Sequence, residues 1–361
     1  MMRYFTLAAI AMLFVGAVHA ATPAAPPTCA FNLPLNSSQC ARWLNSPHHA
    51  SGKSWSASAK GATLVYTSQP FLGVVDISAL GPKGFKPAGT LALRSGSFPL
   101  GLTVDDSQRL YVAISTLTSG TPSVEVFPRG ATTPSKIYTT GLSAPVDVAV
   151  DHHGTLYVAN LAHAGGGGCA EGTGPGGNVI EYAKGSMTPT RTITGFPGCP
   201  SGVAVDSKAN LYLTYLYYPS TGFAQSDVIE YPYGSTQGKA LHLHVPGGPD
   251  LGGVAVTSTG ELVVENDQDD ATLNQILTFV HRSKKPTTSI QYGGSGWGTA
   301  FKFFALSGNR LFGSAYIAEN LPFVVTALAE FDYPSGRELS VQKPTGTSQP
   351  FIYGVAVSPG K

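Results

Sequence analysis

Short apolar runs separated by polar turns repeat along most of the chain. A typical copy begins with VDVAV at 146–150, continues through the turn DHHGT and reaches a second run, LYVAN, at 156–160. A third run, such as VIEY at 179–182, and a more variable fourth run complete a copy of about 50 residues. Short apolar runs bounded by turn residues are typical of strands. Each copy is therefore predicted to be a four-stranded antiparallel meander, the usual unit of a β-propeller.

The first and second runs each occur six times. The first runs end at Val104, Val150, Val205, Val256, Leu306 and Val357. The second runs are centred on Leu64, Leu110, Leu156, Leu211, Leu262 and Leu311. No first run precedes Leu64, and no second run follows Val357.

The two chain ends therefore carry complementary halves of one unit. The segment GATLVY at 61–66 supplies its second strand, and YGVAVSPGK at 353–361 supplies its first strand. An open solenoid is the alternative, but it would need capping repeats at its ends. We predict an all-β fold, a six-bladed β-propeller over residues 60–361, closed by the C-terminal strand joining the first blade.

The N-terminus has the pattern of a targeting signal. Arg3 supplies a positive charge, residues 5–15 form an apolar run, and Val18-His19-Ala20 resembles a cleavage site. The alternative, an uncleaved anchor, is disfavoured because the run is short for a bilayer. Residues 1–20 are predicted to be a signal peptide and 21–59 an N-terminal extension. We expect a secreted or periplasmic protein without a membrane span in the mature chain.

The four cysteines suit an exported protein. An even number in an oxidising compartment favours disulfides, and no C-x-x-C spacing indicates a zinc or redox site. Four cysteines allow three sets of pairs. The most local set joins Cys29 with Cys40 and Cys169 with Cys199.

Composition narrows the class of partner. Only 12% of residues are charged and the formal net charge is +1, whereas a nucleic-acid-binding protein normally carries a basic face. The 43 glycines and 27 prolines suit many tight turns. We therefore expect no nucleic-acid partner.

The phrase GVAVDSKANLY at 202–212, followed by VIEY at 228–231, resembles the NHL-repeat propellers. It is also similar to the six-bladed gluconolactonase and senescence-marker lactonases. The resemblance covers roughly residues 60–361 and implies the fold. The family contains lactonases, lyases and pure binding modules, so the resemblance leaves the activity open.

The catalytic phrases of the related enzymes do not carry over. The lactonases have a metal-binding Glu in an E-G-P-x-W phrase, where this chain reads VYTSQPFLGVVD, and their N-D-G and P-D-G phrases are absent. Streptogramin-type lyases place His at the start of inner strands, and the matching residues here are Gly101, Asp147, Gly202 and Gly253. No catalytic residue is assigned.

An acidic loop is the candidate cation site. The segment ENDQDDATLN places Glu265, Asn266, Asp267 and Asp269 close together, and Ca²⁺ or another divalent cation prefers such oxygen ligands. The segment contains no glycine and lacks EF-hand spacing, so a solvated acidic loop is the alternative. If Glu265 or Asn266 faces the axis beside Asn160 and Asp147, these four are the best candidates for binding a metal or a substrate.

An aromatic loop is the candidate for contacts with a larger ligand. In YLYYPSTGF, Tyr217 and Tyr218 can stack on a sugar or contact a protein partner, or they can simply pack under the loop. The leading hypothesis is a binding module that uses the face carrying the long loops. A metal-dependent lactonase or lyase, with its site at the mouth of the central channel, is the alternative.

Overall fold

Six antiparallel four-stranded sheets contain every strand that the structure describes. The computed structural model describes residues 61–116, 120–161, 176–217, 225–246, 250–266, 275–280, 283–291, 304–317, 325–342 and 352–359. The predicted signal peptide and N-terminal extension lie outside these residues. So do Cys29, Cys40, Cys169, Tyr218, Asp267 and Asp269.

The first three blades follow the predicted order of strands. Blade 1 contains, from the axis outward, β24 (Val355–Ser358), β1 (Thr63–Gln69), β2 (Val74–Gly81) and β3 (Gly84–Ala92). Blade 2 contains β4 (Ser97–Val104), β5 (Leu110–Thr116), β6 (Ser123–Phe127) and β7 (Lys136–Tyr138). Blade 3 contains β8 (Pro145–Val150), β9 (Leu156–Asn160), β10 (Asn178–Tyr182) and β11 (Arg191–Ile193).

The remaining blades repeat the same arrangement. Blade 4 contains β12 (Cys199–Val205), β13 (Leu211–Tyr217), β14 (Gln225–Tyr231) and β15 (Lys239–Ala240). Blade 5 contains β16 (Leu251–Val256), β17 (Leu262–Asn266), β18 (Gln275–Phe279) and β19 (Thr288–Gln291). Blade 6 contains β20 (Ala305–Ser307), β21 (Arg310–Ile317), β22 (Val325–Asp332) and β23 (Arg337–Gln342).

The prediction of a six-bladed β-propeller is confirmed. Strand β24, from the C-terminal end, pairs antiparallel with β1 and so closes the ring. A single 3-10 helix (Pro70–Leu72) is the only helix among the described residues. None of the described residues forms a helix long and apolar enough to cross a membrane.

The strand register of blade 1 differs from that of the other five blades. In blades 2–6 the last residue of each first run pairs with the leucine of the second run, as Val104 pairs with Leu110. In blade 1, Val357 pairs with Val65, not with Leu64. The difference arises because the two strands come from opposite ends of the chain, so no short turn fixes the offset between them.

The core lies between blades. One apolar cluster joins Leu64 and Tyr66 of blade 1 to Leu110 and Ile114 of blade 2. Equivalent clusters lie between other neighbouring blades. Each sheet is therefore covered on both faces, which explains why β9 is buried over its whole length and reads as an almost continuous apolar run.

The recurring aspartates build the turns between first and second strands. Asp151 is typical: one carboxylate oxygen accepts the backbone N–H of Thr155 at 2.8 Å and the other accepts the hydroxyl of Tyr157 at 3.3 Å. Asp105 and Asp206 make the corresponding bonds in their blades. The repeated D-x-x-x-x-L-Y pattern is therefore a turn-capping motif.

Side chains from blade 2 bond to the first and last segments of the propeller. The guanidinium of Arg129 donates to Ser358 Oγ at 2.8 Å and to the carbonyl of Ala62 at 2.5 Å. Gln108 Nε2 donates to the carbonyl of Pro359 at 3.1 Å. The closing strand is thus bonded both within blade 1 and to the neighbouring blade.

Candidate functional site

The longest connections after second strands leave one side of the ring, which we call the long-loop face. On this side the second strands end and the first strands begin. The connections 161–177, 218–224, 267–274 and 318–324 leave from here, and most of their residues lie outside the described part of the chain. The described residues define where these connections start and end.

Asn160 ends β9 at this face and is completely buried. Its Oδ1 accepts the backbone N–H groups of Ser143 at 2.9 Å and Ala144 at 2.8 Å. Its Nδ2 donates to Asn178 Oδ1 at 3.1 Å, at the far end of the longest connection. The side chain therefore ties three chain segments together at the base of the 161–177 loop.

Asn266 occupies the equivalent position in blade 5 and is also completely buried. Its Oδ1 accepts the N–H of Asp250 at 3.0 Å, and its Nδ2 donates to the carbonyl of Pro246 at 3.4 Å. Both asparagines thus fix the chain as it enters an inner strand. Their hydrogen bonds to backbone are structural, and their role in ligand binding stays a prediction.

Asp147 projects from the innermost strand of blade 3. The same position is glycine in four other blades, at Gly101, Gly202, Gly253 and Gly354. The Asp147 carboxyl fills the space between its two neighbours in the ring. Its Oδ2 accepts the N–H of Val203 in blade 4 at 2.9 Å. A Cβ atom added to Gly101 of blade 2 would lie 2.2 Å from its Oδ1.

The Asp147 carboxyl is 5% exposed and no cation is bonded to it among the described residues. Burial raises its pKa to about 8, although hydrogen bonds from the N–H groups of Val203 and Val148 act in the opposite direction. The carboxyl is therefore mostly protonated at pH 7. It can act as a hydrogen-bond donor or as a source of a proton.

Side chains from three second strands reach the inner strands at the same height. Thr214 Oγ1 accepts the N–H of Gly202 at 2.7 Å. Glu265 Oε2 accepts the N–H of Gly253 at 3.1 Å. Ser68 makes the corresponding bond in blade 1, because its Oγ accepts the N–H of Gly354 at 2.7 Å. Together with Asp147, these three side chains form what we call the axial polar belt: Ser68, Asp147, Thr214 and Glu265.

The belt also joins neighbouring blades. Ser68 Oγ donates to the carbonyl of Leu100 in blade 2 at 2.7 Å. Thr214 Oγ1 donates to the carbonyl of Gly252 in blade 5 at 2.6 Å. Sequence analysis missed Ser68 and Thr214. The available signal was a small hydroxyl residue near the end of the second strand in blades 1 and 4, opposite the glycine of an inner strand.

The structure brings some of the predicted site residues together and separates others. Asp147 and Glu265 both belong to the belt, but they bond to different inner strands: Asp147 accepts an N–H of β12 in blade 4, and Glu265 accepts an N–H of β16 in blade 5. Glu265 and Asn266 are neighbours in β17, and neighbouring strand residues point to opposite faces. Accordingly, Glu265 bonds to Gly253 and Asn266 bonds to Asp250.

The proposed cation set is only partly within the described residues. Asp267 and Asp269 follow Asn266 directly and lie outside them. Among the described residues, no group of three or more His, Cys, Asp or Glu side chains could hold a metal ion. The assignment of Glu265, Asn266, Asp267 and Asp269 to a cation stays a prediction.

Tyr217 ends β13 on the long-loop face and is half-buried. A Cβ atom added to Gly198 would lie 3.0 Å from the Cβ of Tyr217, so this tyrosine packs beside the chain entering β12. Cys199, the first residue of β12, is disulfide-bonded. Its partner lies outside the described residues, so the pairing with Cys169 stays a prediction.

Comparisons with known proteins support the fold without naming an activity. No protein-family model matches the chain, and no curated protein is similar to it. One solved structure of similar architecture is a protein of unknown function from Bacteroides caccae, determined at 1.35 Å resolution. It superposes with a TM-score of 0.56 at 13% sequence identity, over 82% of this chain and 98% of that chain.

Proposed function

We propose that the protein is a secreted or periplasmic binding module that takes its ligand on the long-loop face. The observation that carries this proposal is that hydrogen bonds fix the points from which the long connections leave the ring. Asn160 and Asn266 bond the ends of their second strands to the segments that enter the inner strands. Variable connections that project from a rigid ring are the usual place for binding in repeat proteins.

The ligand class that the described residues favour is a carbohydrate. Tyr217 is half-buried at the end of β13 on the long-loop face, and Tyr218 follows it in the sequence. An aromatic ring offers a flat apolar surface on which the apolar side of a sugar ring can stack. A protein partner is the alternative, because tyrosine is also common at the centre of protein interfaces.

Sequence patterns support the remaining parts of the proposal. The targeting signal at 1–20 supports export, which in turn supports disulfides between Cys29 and Cys40 and between Cys169 and Cys199. The GVAVD phrase at 202–206 supports a place among the NHL-repeat and gluconolactonase-like propellers. In the structure this phrase forms the end of the inner strand β12 and the first residue of the following turn.

Tyr217→Ala is expected to weaken carbohydrate binding by about two- to tenfold, since loss of one aromatic contact removes about 0.5–1.5 kcal/mol. The measurement uses the mature protein on an array of immobilised oligosaccharides, followed by titration with the best binder. Tyr233→Ala is the matched control, because Tyr233 is 52% exposed and lies on the opposite side of the ring. Equal binding by both variants, or no oligosaccharide bound by the wild type, would contradict the proposal.

A metal-dependent lactonase or lyase at the channel mouth is the second candidate. The observation that favours it is the protonated Asp147 carboxyl in the same belt as Glu265, because a raised carboxyl pKa suits a proton donor near neutral pH. The acidic segment Glu265, Asn266, Asp267 and Asp269 would supply oxygen ligands to Ca²⁺.

This second candidate predicts lactone hydrolysis that a chelator abolishes and Ca²⁺ restores. Asp147→Asn is expected to lower kcat by at least about a hundredfold, the usual effect of losing a general acid. Asp106→Asn is the control, since Asp106 is exposed in a turn at the other side of the ring. Hydrolysis that is indifferent to the chelator would exclude the metal-dependent mechanism.

A further inference from the structure

A cleft lies between blades 1 and 6, where the ring closes. It has a volume of about 390 Å³ and is lined by residues of both blades. Thr63 and Leu80 come from blade 1, and Ser307 and Arg310 from blade 6. The cleft opens on the side opposite to the long-loop face, because these residues begin second strands or end first and third strands. It is therefore separate from the site proposed above.

Contacts between strands of the two blades fix the shape of the cleft. The rings of Phe85 and Phe312 meet edge to face with their centroids 6.3 Å apart. Ser78 Oγ of blade 1 donates to Gln342 Oε1 of blade 6 at 2.7 Å. The walls are thus strands of two packed sheets, and preformed sites of this kind lose little entropy when a ligand binds.

Among the described residues that line the cleft, Arg310 alone carries a formal charge. Its side chain is 45% exposed, and its Nη1 bonds to Glu330, whose side chain is 3% exposed. The second oxygen of Glu330 accepts the hydroxyl of Ser340 at 2.7 Å. The buried Glu330 carboxylate, itself fixed by Ser340, therefore restricts the position of the Arg310 guanidinium. A guanidinium carries five N–H donors, so one such pair leaves donors for a ligand.

The rest of the lining complements an anion with an apolar body. None of the lining residues within the described part of the chain is acidic. Ser307 and Asn309 carry side-chain donors beside Arg310, while Leu80 and Pro82 supply apolar surface on the other wall. Asp332 is paired with Arg310 in the strand register, and its carboxylate accepts the hydroxyl of Ser335 at 2.6 Å.

We propose that this cleft binds a small organic anion, a carboxylate or phosphate monoester joined to an apolar group. The anionic group lies against Arg310, with Ser307 and Asn309 as further donors, and the apolar group lies against Leu80 and Pro82. The volume falls within the range of about 300–1,000 Å³ that is usual for small-molecule sites. The bidentate geometry of arginine suits both kinds of anion.

Binding at this place is coupled to ring closure. A ligand in the cleft contacts blades 1 and 6 together, so it binds the closed ring and not the unfolded chain. Mass action then raises the melting temperature as ligand concentration increases. At 100 times Kd the expected increase in Tm is on the order of 5 °C for a domain of this size.

The test measures Tm and calorimetric binding for the mature protein with benzoate, phenyl phosphate and the neutral analogue benzamide. Benzoate or phenyl phosphate is expected to raise Tm, and benzamide is expected to have no effect. Arg337→Gln is the matched control: this arginine is exposed on the same blade and does not line the cleft, so its variant should respond as the wild type does.

Two variants locate the site. Arg310→Gln combined with Glu330→Gln removes both charges without leaving a buried carboxylate alone, and it is expected to abolish the Tm shift. Asn309→Asp places a carboxylate at an exposed position of the cleft and is expected to weaken binding at least tenfold. If the double variant fails to fold, Asn309→Asp still tests whether the anion binds in the cleft. No anion-dependent shift at millimolar concentration, or an undiminished shift in the variants, would overturn the proposal.

Discussion

Deleting residues 352–361 is expected to prevent the protein from folding to a cooperative, monomeric state. The deletion removes β24, the inner strand of blade 1, and leaves the edge of β1 from Leu64 to Thr67 without its partner. Side chains of β24 and the residues before it fill the core on both sides of blade 1. Ala356 packs toward blade 2, and Val355 packs toward blade 6.

The size of this effect follows from burial. Ile352, Tyr353 and Val355 are each at most 5% exposed. Burying a large apolar side chain contributes about 1.5–3 kcal/mol. Three such losses, together with the lost strand pairing, approach the total stability of about 5–15 kcal/mol of a typical domain. The exposed edge of β1 can also pair with strands of other chains and cause aggregation.

Urea unfolding followed by circular dichroism, together with size-exclusion chromatography, measures the result. Deletion of residues 360–361 alone is the control, because the described part of β24 ends at Ser358. We expect the short deletion to retain the wild-type transition and the long deletion to lose it. If the long deletion unfolds with the wild-type midpoint, β24 does not close the ring.

The blade count could be predicted because its signals are local. The turn at Asp151 is held by a residue four positions away, and the tyrosine that joins it is six positions away. Such short-range patterns recur in sequence wherever they recur in space. The register of blade 1 could not be predicted in the same way. Its two strands lie at opposite ends of the chain, and packing between blades sets the pairing of Val65 with Val357.

The candidate site was harder to predict because its contacts join different blades. The environment of Asp147 depends on Gly101, which precedes it by a whole blade, and on Val203, which follows it by 56 residues. The role of Asn160 depends on a backbone segment 16 and 17 residues earlier. Sequence pattern could identify these residues as polar exceptions in apolar runs, but not the groups that they bond.

The cleft between blades 1 and 6 was even harder to predict from the sequence pattern. Thr63 and Arg310 line one cleft although nearly the whole ring separates them in sequence. Glu330 recurs with the glutamates of other blades and so looks like part of the scaffold. In this blade its arginine partner lines the cleft. A repeated structural residue therefore supports a local feature that the repeat itself does not contain.

Asp147→Asn is expected to change how stability depends on pH. The folded protein holds the Asp147 proton up to about pH 8, whereas the unfolded chain releases it near the ordinary value of 3.8. Between these values the folded state binds one more proton than the unfolded state, so this residue lowers stability as pH rises. The slope is up to about 1.4 kcal/mol per pH unit, and it disappears below about pH 4 and above about pH 8.

The asparagine variant keeps the shape of the side chain and cannot ionise. Its amide oxygen can accept the N–H of Val203 as Asp147 Oδ2 does. The variant is therefore expected to match the wild type near pH 4 and to exceed it by several kcal/mol near pH 8. Urea midpoints at intervals across this range measure the difference, with the exposed Asp106→Asn as control. Parallel curves for wild type and variant would show that Asp147 is ionised in the folded protein at neutral pH, and its proton-donor role would then be wrong.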